Sequence, residues 1–173
     1  MRNADIVWKR LSRDIKDVFY LPGGGSAYLV DALGQSEINA VCCLHEQGAG
    51  FAAVAYAQLN GLGVCMTTSG PGATNALTPC LAAWLDSVPV LFISGQVQTK
   101  WMAYPGMRSR GTQEGPIIEM VKSVTKWCRQ LDKNDDVELM VDFAIKTAKL
   151  GRPGPVWLDI PLDISMKEVN HVG

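Results

Sequence analysis

Six short strand-like runs, each separated from the next by a turn and a stretch of helical periodicity, constrain this chain more than any other feature. The runs are short enough to be strands, and the segments between them are long enough to hold helices. Strands that alternate with helices pair in parallel, and the helices then cover both faces of the sheet. We therefore predict an α/β fold with a six-stranded parallel sheet, whose strands lie at residues 17–21, 40–44, 64–68, 89–94, 123–130 and 155–160.

Glu46 stands where the second of these runs meets a helix of very small residues. Because residues 40–44 are apolar throughout, they predict a buried parallel strand, and the carboxylate follows at the end of that strand. This edge of an α/β sheet is where ligands bind. A carboxylate in the first turn of a helix is also stabilised by the macrodipole alone, without any ligand. The stretch by itself leaves both interpretations open.

Two glycine-rich turns and one long loop should meet Glu46 at the same edge of the sheet. Right-handed crossovers place every strand-to-helix connection on that side. The connections concerned are residues 22–26, 69–75 and 96–113. Glycine lets the two turns approach another group closely, although each could equally be only a tight turn. The second turn lacks the lysine of a nucleotide-triphosphate loop, because Ala73 and Thr74 follow its last glycine.

The charge and cysteine patterns argue against several classes of function. A net charge of −1 with dispersed Lys and Arg provides no basic surface for nucleic acid. No apolar run approaches the ~20 residues that span a bilayer. Five cysteines without a C-x-x-C pair, together with only two histidines, favour reduced buried thiols over a metal site. We therefore expect no metal ligands within the chain, no nucleic-acid or membrane partner, and a cytoplasmic location.

Seven short motifs, in order along nearly the whole chain, resemble the N-terminal pyrimidine-binding domain of thiamine-diphosphate enzymes, with the acetolactate synthase group as the nearest likeness. They lie at residues 22–24 (PGG), 45–49 (HEQGA), 68–75 (TSGPGATN), 85–90 (LDSVPV), 94–97 (SGQV), 151–156 (GRPGPV) and 159–161 (DIP). The resemblance implies a flavodoxin-like thiamine-diphosphate-binding fold over residues 1–162. It leaves residues 163–173 as a polar tail that begins a linker to further domains.

The resemblance also implies a reaction and a role for Glu46. Enzymes of this family use thiamine diphosphate to decarboxylate 2-oxo acids or to join them to a second carbonyl compound. Their glutamate after the second strand hydrogen-bonds N1′ of the cofactor's aminopyrimidine and favours its imino tautomer, which activates the thiazolium ring. Glu46 is the matching residue, and Gln113 matches a glutamine that faces the substrate. The other residues expected beside the cofactor are Pro22, Gly24, Gly25, Pro71 and Asn75.

Two departures from the family pattern limit what the resemblance implies. Acetolactate synthases commonly carry an aromatic residue before the glutamine, whereas Thr112 stands here, so the acceptor substrate and the use of FAD stay open. The Gly-Asp-Gly stretch that holds Mg²⁺ and the diphosphate does not occur, so those ligands should lie in another domain of the same chain or in a second subunit. The chain alone is expected to bind the cofactor weakly and to be inactive.

The way the chain assembles has two interpretations. The helix after Glu46 carries small residues that suit close packing of another helix, and the resemblance implies dimers, so we expect self-association. Packing against the chain's own sheet explains the same residues equally well. The alternative to an enzyme is a non-catalytic dimerisation or regulatory module that keeps the fold. A dinucleotide-binding domain is disfavoured because no G-x-G-x-x-G follows the first strand.

Overall fold

The computed structural model describes residues 1–169, which form a single six-stranded sheet. The strands are β1 (Asp17–Tyr20), β2 (Asn39–Cys42), β3 (Gly63–Thr67), β4 (Val90–Gln96), β5 (Trp127–Gln130) and β6 (Val156–Pro161). Their order in the sheet is β2-β1-β3-β4-β6-β5, and every neighbouring pair runs parallel. The predicted six-stranded parallel sheet is therefore confirmed.

Helices cover both faces of this sheet, as predicted. They are α1 (Asn3–Leu11), α2 (Ala27–Gly34), α3 (Glu46–Asn60), α4 (Pro71–Asn75), α5 (Leu77–Asp86), α6 (Ile117–Val121), α7 (Val137–Lys149) and α8 (Leu162–Met166). Helices α1, α2, α7 and α8 enclose one core, in which the buried indole of Trp8 donates to the carbonyl of Leu29 at 2.8 Å. The other helices enclose a second core, in which Phe92 and Trp157 stack with their ring centroids 5.1 Å apart.

Both edge strands differ from the sequence-based prediction. The run at residues 40–44 was expected to be a buried strand, but β2 lies at the edge of the sheet, and Ala40, Cys42 and Leu44 are exposed. That prediction is wrong because β2 pairs only with β1, a fact of strand order that apolar composition does not reveal. At the other edge β5 keeps only four residues, because Lys122–Val124 form a short 3₁₀ turn before it.

Small residues let α3 lie close to the sheet and to α5. A side chain on Gly63, the first residue of β3, would stand 2.0 Å from the carbonyl oxygen of Ala53. A side chain on Gly50 would stand 2.3 Å from Cγ of Pro79 in α5. One face of α3 therefore packs on its own domain, which is the second of the two interpretations given above. The opposite face is exposed at Gly48, Phe51, Ala55 and Leu59.

The chain continues to pack on the domain beyond β6. Helix α8 buries Ile164 and Ser165, and the side-chain amide of Asn3 donates to the carbonyl of Ile164 at 2.9 Å. The N–H of Val169 then donates to the carbonyl of Met1 at 3.0 Å. The packed domain thus extends past residue 162, where the tail was predicted to begin. Residues 170–173 lie outside the described part of the chain, and their role as the start of a linker stays a prediction.

Two glycines of α3 should respond in opposite ways to alanine. Gly48→Ala fills open space and introduces the best helix former, so the free energy of unfolding should rise by up to about 1 kcal/mol. Gly50→Ala gains the same propensity but forces a methyl group against Pro79, so the free energy should fall by about 1 to 3 kcal/mol. Urea denaturation followed by circular dichroism gives both values. A stabilising Gly50→Ala would contradict the close packing of α3 and α5.

Candidate active site

The two glycine-rich turns meet at the carboxyl edge of the sheet, beyond the ends of β1 and β3. The N–H of Gly25 donates to Oγ1 of Thr68 at 3.1 Å. A side chain on Gly25 would lie 2.6 Å from Oγ of Ser69, and one on Gly95 would lie 2.2 Å from the carbonyl oxygen of Gly25. The turns can touch because these positions lack a Cβ atom. The convergence predicted from the crossover rule is therefore present in the structure.

Glu46 is the first residue of α3, and only 7% of its surface is exposed. Its Oε2 accepts a hydrogen bond of 2.9 Å from Nδ2 of Asn75, the last residue of α4. A Cβ atom on Gly72 would lie 3.3 Å from Oε1. Oε1 itself accepts no hydrogen bond from residues 1–169. The carboxylate is therefore oriented by one amide, and its second oxygen remains available.

This arrangement goes beyond what the helix macrodipole requires. A carboxylate in the first turn is already stabilised when it is exposed to solvent and has no side-chain partner. The cap of α3 is provided by His45, whose Nδ1 accepts from the N–H of Gln47 at 3.1 Å. Glu46 is instead withdrawn from water and held by a residue of another helix, and such burial is unfavourable for a charged group. The geometry therefore favours the ligand-binding interpretation.

Gln113 and the first glycine turn line a separate cavity of about 560 Å³. The pair Glu46 and Asn75 does not line this cavity. The predicted site residues therefore form two groups in this domain, a carboxylate–amide pair and a cavity wall. Besides Gln113, the wall includes Gly24, Gly25, Ser69, Trp101 and Arg110.

The second glycine turn connects these two groups. Gln113 has a φ of 59°, in the left-handed region that is uncommon for residues other than glycine. Its carbonyl packs against Gly70, where a side chain would stand 2.0 Å from the oxygen, so the turn sets the position of Gln113. Thr68, which directly precedes this turn, lies 2.5 Å from a side chain built on Gly23 and 2.7 Å from one built on Gly72. Gly23 adjoins the cavity, and Gly72 adjoins the carboxylate.

Both prolines predicted beside the cofactor lie in the turns and are exposed. Pro22 follows β1, and Pro71 is the first residue of α4, where its missing N–H leaves no helical hydrogen bond unmade. Their positions agree with the motif, and a role toward a cofactor stays a prediction.

A buried polar network behind the cavity was not predicted from the sequence. Asp159 of β6 is fully buried and accepts hydrogen bonds from Ser94 (2.6 Å), Gln130 (2.7 Å) and Gln96 (3.2 Å). Burial raises the pKa of Asp159 to about 6, although these three hydrogen bonds act in the opposite direction. Gln96, which lines the cavity, also donates to the carbonyl of Gly115 at 3.0 Å. Polar residues inside otherwise apolar strands were the signal available in the sequence.

Comparison with known proteins identifies the family. Residues 1–121 match the family described as "Thiamine pyrophosphate enzyme, N-terminal TPP binding domain". The chain belongs to this family. Acetolactate synthase 2, chloroplastic, of Zea mays is 42% identical over 169 residues, which are 96% of this chain and 26% of the relative. The corresponding enzyme of Nicotiana tabacum is 40% identical over 171 residues, 97% of this chain and 25% of the relative.

The TPP-binding domain described here spans about a quarter of the length of the relatives that it matches. Acetolactate synthase, chloroplastic, of Arabidopsis thaliana is also 40% identical over 169 residues, 96% of this chain and 24% of the relative. These matches confirm the family inferred from the sequence motifs. The domain is the pyrimidine-binding part of a thiamine pyrophosphate (thiamine diphosphate) enzyme family.

Asp159 should make the stability of the domain depend on pH. Its pKa is raised in the folded state, so folding favours the protonated carboxyl group and stability is lost as the pH rises toward and past that pKa. The shift corresponds to a loss of about 2 kcal/mol between about pH 4.5 and pH 7. Asp159→Asn should remove this slope, since an amide can accept from both glutamines and donate to Ser94. Urea titrations across that pH range measure the effect.

Asp86→Asn is the matched control, because Asp86 is exposed at the end of α5 and should keep the wild-type slope. The paired carboxylates of Asp5, Asp14 and Asp135 do not contribute to the slope in this pH range. Their pKa values are lowered, so the stability that they contribute is lost only in more acidic solution. Parallel curves for wild type and Asp159→Asn would show that the buried carboxyl group does not titrate as described.

Proposed function

We propose that this domain activates thiamine diphosphate in an acetolactate synthase-like enzyme, which decarboxylates a 2-oxo acid, joins it to a second carbonyl compound, or does both. The observation that carries the proposal is the Glu46 carboxylate, which is nearly buried, held at Oε2 by Asn75 and available at Oε1. The relatives named above support this class of reaction, since they are acetolactate synthases.

The surroundings of Glu46 fit an aminopyrimidine ring. A ring nitrogen needs one carboxyl oxygen within hydrogen-bonding reach and space for a flat group beside it. Oε1 is that oxygen, and Gly72 provides space, because the Cβ atom that it lacks would stand 3.3 Å away. Glu46, Asn75 and Gly72 would therefore hold the pyrimidine. The turn containing Pro22, Gly24 and Gly25, together with Pro71, would lie next to the rest of the cofactor.

Each of these residues has a distinct task in the proposed mechanism. Thiamine diphosphate, when bound, supplies an electron sink for cleavage of the bond beside a carbonyl group. Glu46 would share a proton at Oε1 with the ring nitrogen, which is general acid–base work by a positioned carboxyl group. Asn75 prevents the carboxyl group from rotating by holding Oε2. Gln113 lines the cavity, where its side-chain amide would hydrogen-bond the oxo acid.

We propose that the diphosphate and Mg²⁺ are held by a domain that lies elsewhere in the same chain or in a second subunit. Within residues 1–169 no group of three His, Cys, Asp or Glu side chains could hold a metal ion. The greater length of the relatives supports a further domain. The described helices include none that is long and apolar enough to cross a membrane. The use of FAD stays open, and a cytoplasmic location stays a prediction.

Self-association through α3 and α5 is part of the proposal. The face of α3 that does not touch the sheet exposes apolar side chains, and so does its neighbour α5. Such side chains favour burial against a partner, and a symmetric dimer is the commonest way to provide one. The exposed apolar residues are Phe51 and Leu59 on α3 and Leu81, Trp84 and Leu85 on α5.

A non-catalytic dimerisation or regulatory module is the second candidate function. The exposed apolar residues of α3 and α5 favour it, because association needs no active site. The buried pair formed by Glu46 and Asn75 argues against it, because a withdrawn carboxylate with one free oxygen contributes nothing to an interface. The two candidates differ in whether the domain activates a cofactor.

Glu46→Gln should abolish most activity of the complete enzyme without changing the fold. Glutamine keeps the shape of the side chain but cannot share a proton with a ring nitrogen, and loss of a positioned acid–base group typically lowers the rate by about 10² to 10⁴. The direct measurement is exchange of the C2 proton of bound thiamine diphosphate with deuterium, followed by NMR. Exchange at the wild-type rate would exclude this role of Glu46.

Glu37→Gln is the control. Glu37 is exposed and precedes β2, so it lies near the amino ends of the strands, whereas Glu46 lies near their carboxyl ends. It should leave both proton exchange and turnover unchanged. If Glu46 acts only on the helix macrodipole, Glu46→Gln should leave activity intact and lower the free energy of unfolding by at most about 1 kcal/mol.

Leu85→Gln should weaken self-association of the chain. Burying a leucine in an interface contributes about 1.5 to 3 kcal/mol, and a two-fold symmetric dimer buries two copies of it. The dissociation constant should therefore rise at least tenfold, which corresponds to about 1.4 kcal/mol of binding free energy. Leu139→Gln on α7 is the matched control, since Leu139 is 59% exposed and Leu85 is 64% exposed. Sedimentation velocity over a range of concentrations measures both. A wild-type chain that stays monomeric throughout would refute the proposed dimer.

A further inference from the structure

The segment between β4 and α6 has almost no regular structure, yet it forms one wall of the cavity. Residues 97–116 contain a single 3₁₀ turn, Thr99–Trp101, and hold Gln113 near their end. Backbone N–H groups without a helix or sheet need other acceptors. Some of them donate to main-chain carbonyls, and those of Val97 and Thr99 donate to the side chains of Gln96 and Asp163. Three others share one acceptor, the carboxylate of Glu114.

Three backbone N–H groups converge on Glu114. Oε1 accepts from Ala103 at 2.5 Å, and Oε2 accepts from Arg110 at 2.7 Å and from Gly111 at 3.0 Å. Burial acts to raise the pKa of Glu114, but these hydrogen bonds and the charge of Arg110 outweigh it and lower the pKa. The carboxylate therefore joins two distant parts of the segment, near residues 103 and 110, to its own position.

Gln113 depends on this arrangement because its backbone conformation is unfavourable on its own. A left-handed φ of 59° at a residue other than glycine persists only where the surroundings hold it. Glu114, the next residue, is fixed by its three hydrogen bonds to the backbone of Ala103, Arg110 and Gly111. Gly70 packs on the carbonyl of Gln113, and the amide of Gln96 holds the carbonyl of Gly115 at 3.0 Å. Gly70 and Gln96 anchor the segment to the domain, and Glu114 gives it its shape.

We propose that Glu114 is a positioning residue, which folds the segment 97–116 and thereby presents Gln113 to the cavity. The role of Gln113 toward a substrate rests on the proposed function, whereas the folding of the segment does not. Only glutamate meets the requirement at this position. Glutamine would turn an N–H₂ group toward backbone donors, and aspartate is one methylene too short to keep both ends of the segment.

The test compares Glu114→Gln with Glu119→Gln in the 173-residue chain. Glu119 is exposed on α6, five residues away, and serves as the control. Trypsin cleavage after Arg108 and Arg110 reports opening of the segment, because cleavage follows the population of the open form. Glu114→Gln should accelerate cleavage at these two sites at least about tenfold, and Glu119→Gln should cleave at the wild-type rate. The Gln113 amide signals in ¹⁵N NMR spectra should shift or broaden only in the first variant.

Cleavage after Arg129 in β5 separates a local effect from a global one. It should stay at the wild-type rate in Glu114→Gln. Equal acceleration at Arg129 and Arg108 would mean that Glu114 stabilises the whole domain, and it would overturn the proposal. Wild-type cleavage with unchanged Gln113 signals would overturn it as well.

A second measurement tests the consequence for the reaction in the complete enzyme. Glu46 is held by Asn75 and not by the segment, so Glu114→Gln should raise KM for the 2-oxo acid several-fold and leave exchange of the cofactor C2 proton near the wild-type rate. A loss of proton exchange equal to that in Glu46→Gln would show that Glu114 does not act through Gln113. The trypsin experiment needs no cofactor, so it stays valid even if the proposed function fails.

Discussion

The close approach of other residues to glycine backbone at the carboxyl edge of the sheet is the constraint on which the site depends. Gly25 touches Ser69, Gly95 touches the carbonyl of Gly25, and Gly70 touches the carbonyl of Gln113. A Cβ atom at any of these positions would stand within 2.6 Å of its neighbour, so a larger residue would have to move a turn. The cavity and the Glu46 carboxylate share these turns. Their relative position is therefore set by backbone, which is stiffer than side chains.

Hydrogen bonds between buried polar groups connect the core of the sheet to the irregular segment beside the cavity. Asp159 and Ser94 lie within strands, and Gln96 carries their hydrogen bonds outward to the carbonyl of Gly115. No buried side-chain nitrogen or oxygen among the described residues lacks a hydrogen-bond partner. A network in which every group is satisfied makes a core rigid, whereas a partly satisfied one weakens it. One end of the irregular segment is thus tied to this buried network.

Helix α3 illustrates how one element serves packing and chemistry together. Its first residue is Glu46, and its small residues bring the helix close enough to the sheet for the carboxylate to meet Asn75 of α4. Its outer face remains apolar and exposed at Phe51 and Leu59. The domain thus holds a prepared carboxylate and a face suited to a partner, while its relatives are about four times longer. An active site divided between domains is consistent with both features.

The sequence by itself determined the six parallel strands, the two helical layers and the family, because periodicity, glycine turns and motif order are local properties. It also identified Glu46 as the carboxylate at a strand end. Only the tertiary structure decided that β2 is an exposed edge and that Glu46 pairs with Asn75 while Gln113 lines a separate cavity. The same holds for the bonds made by Asp159 and Glu114. These features depend on strand order and on contacts between residues distant in the chain, which no local pattern encodes.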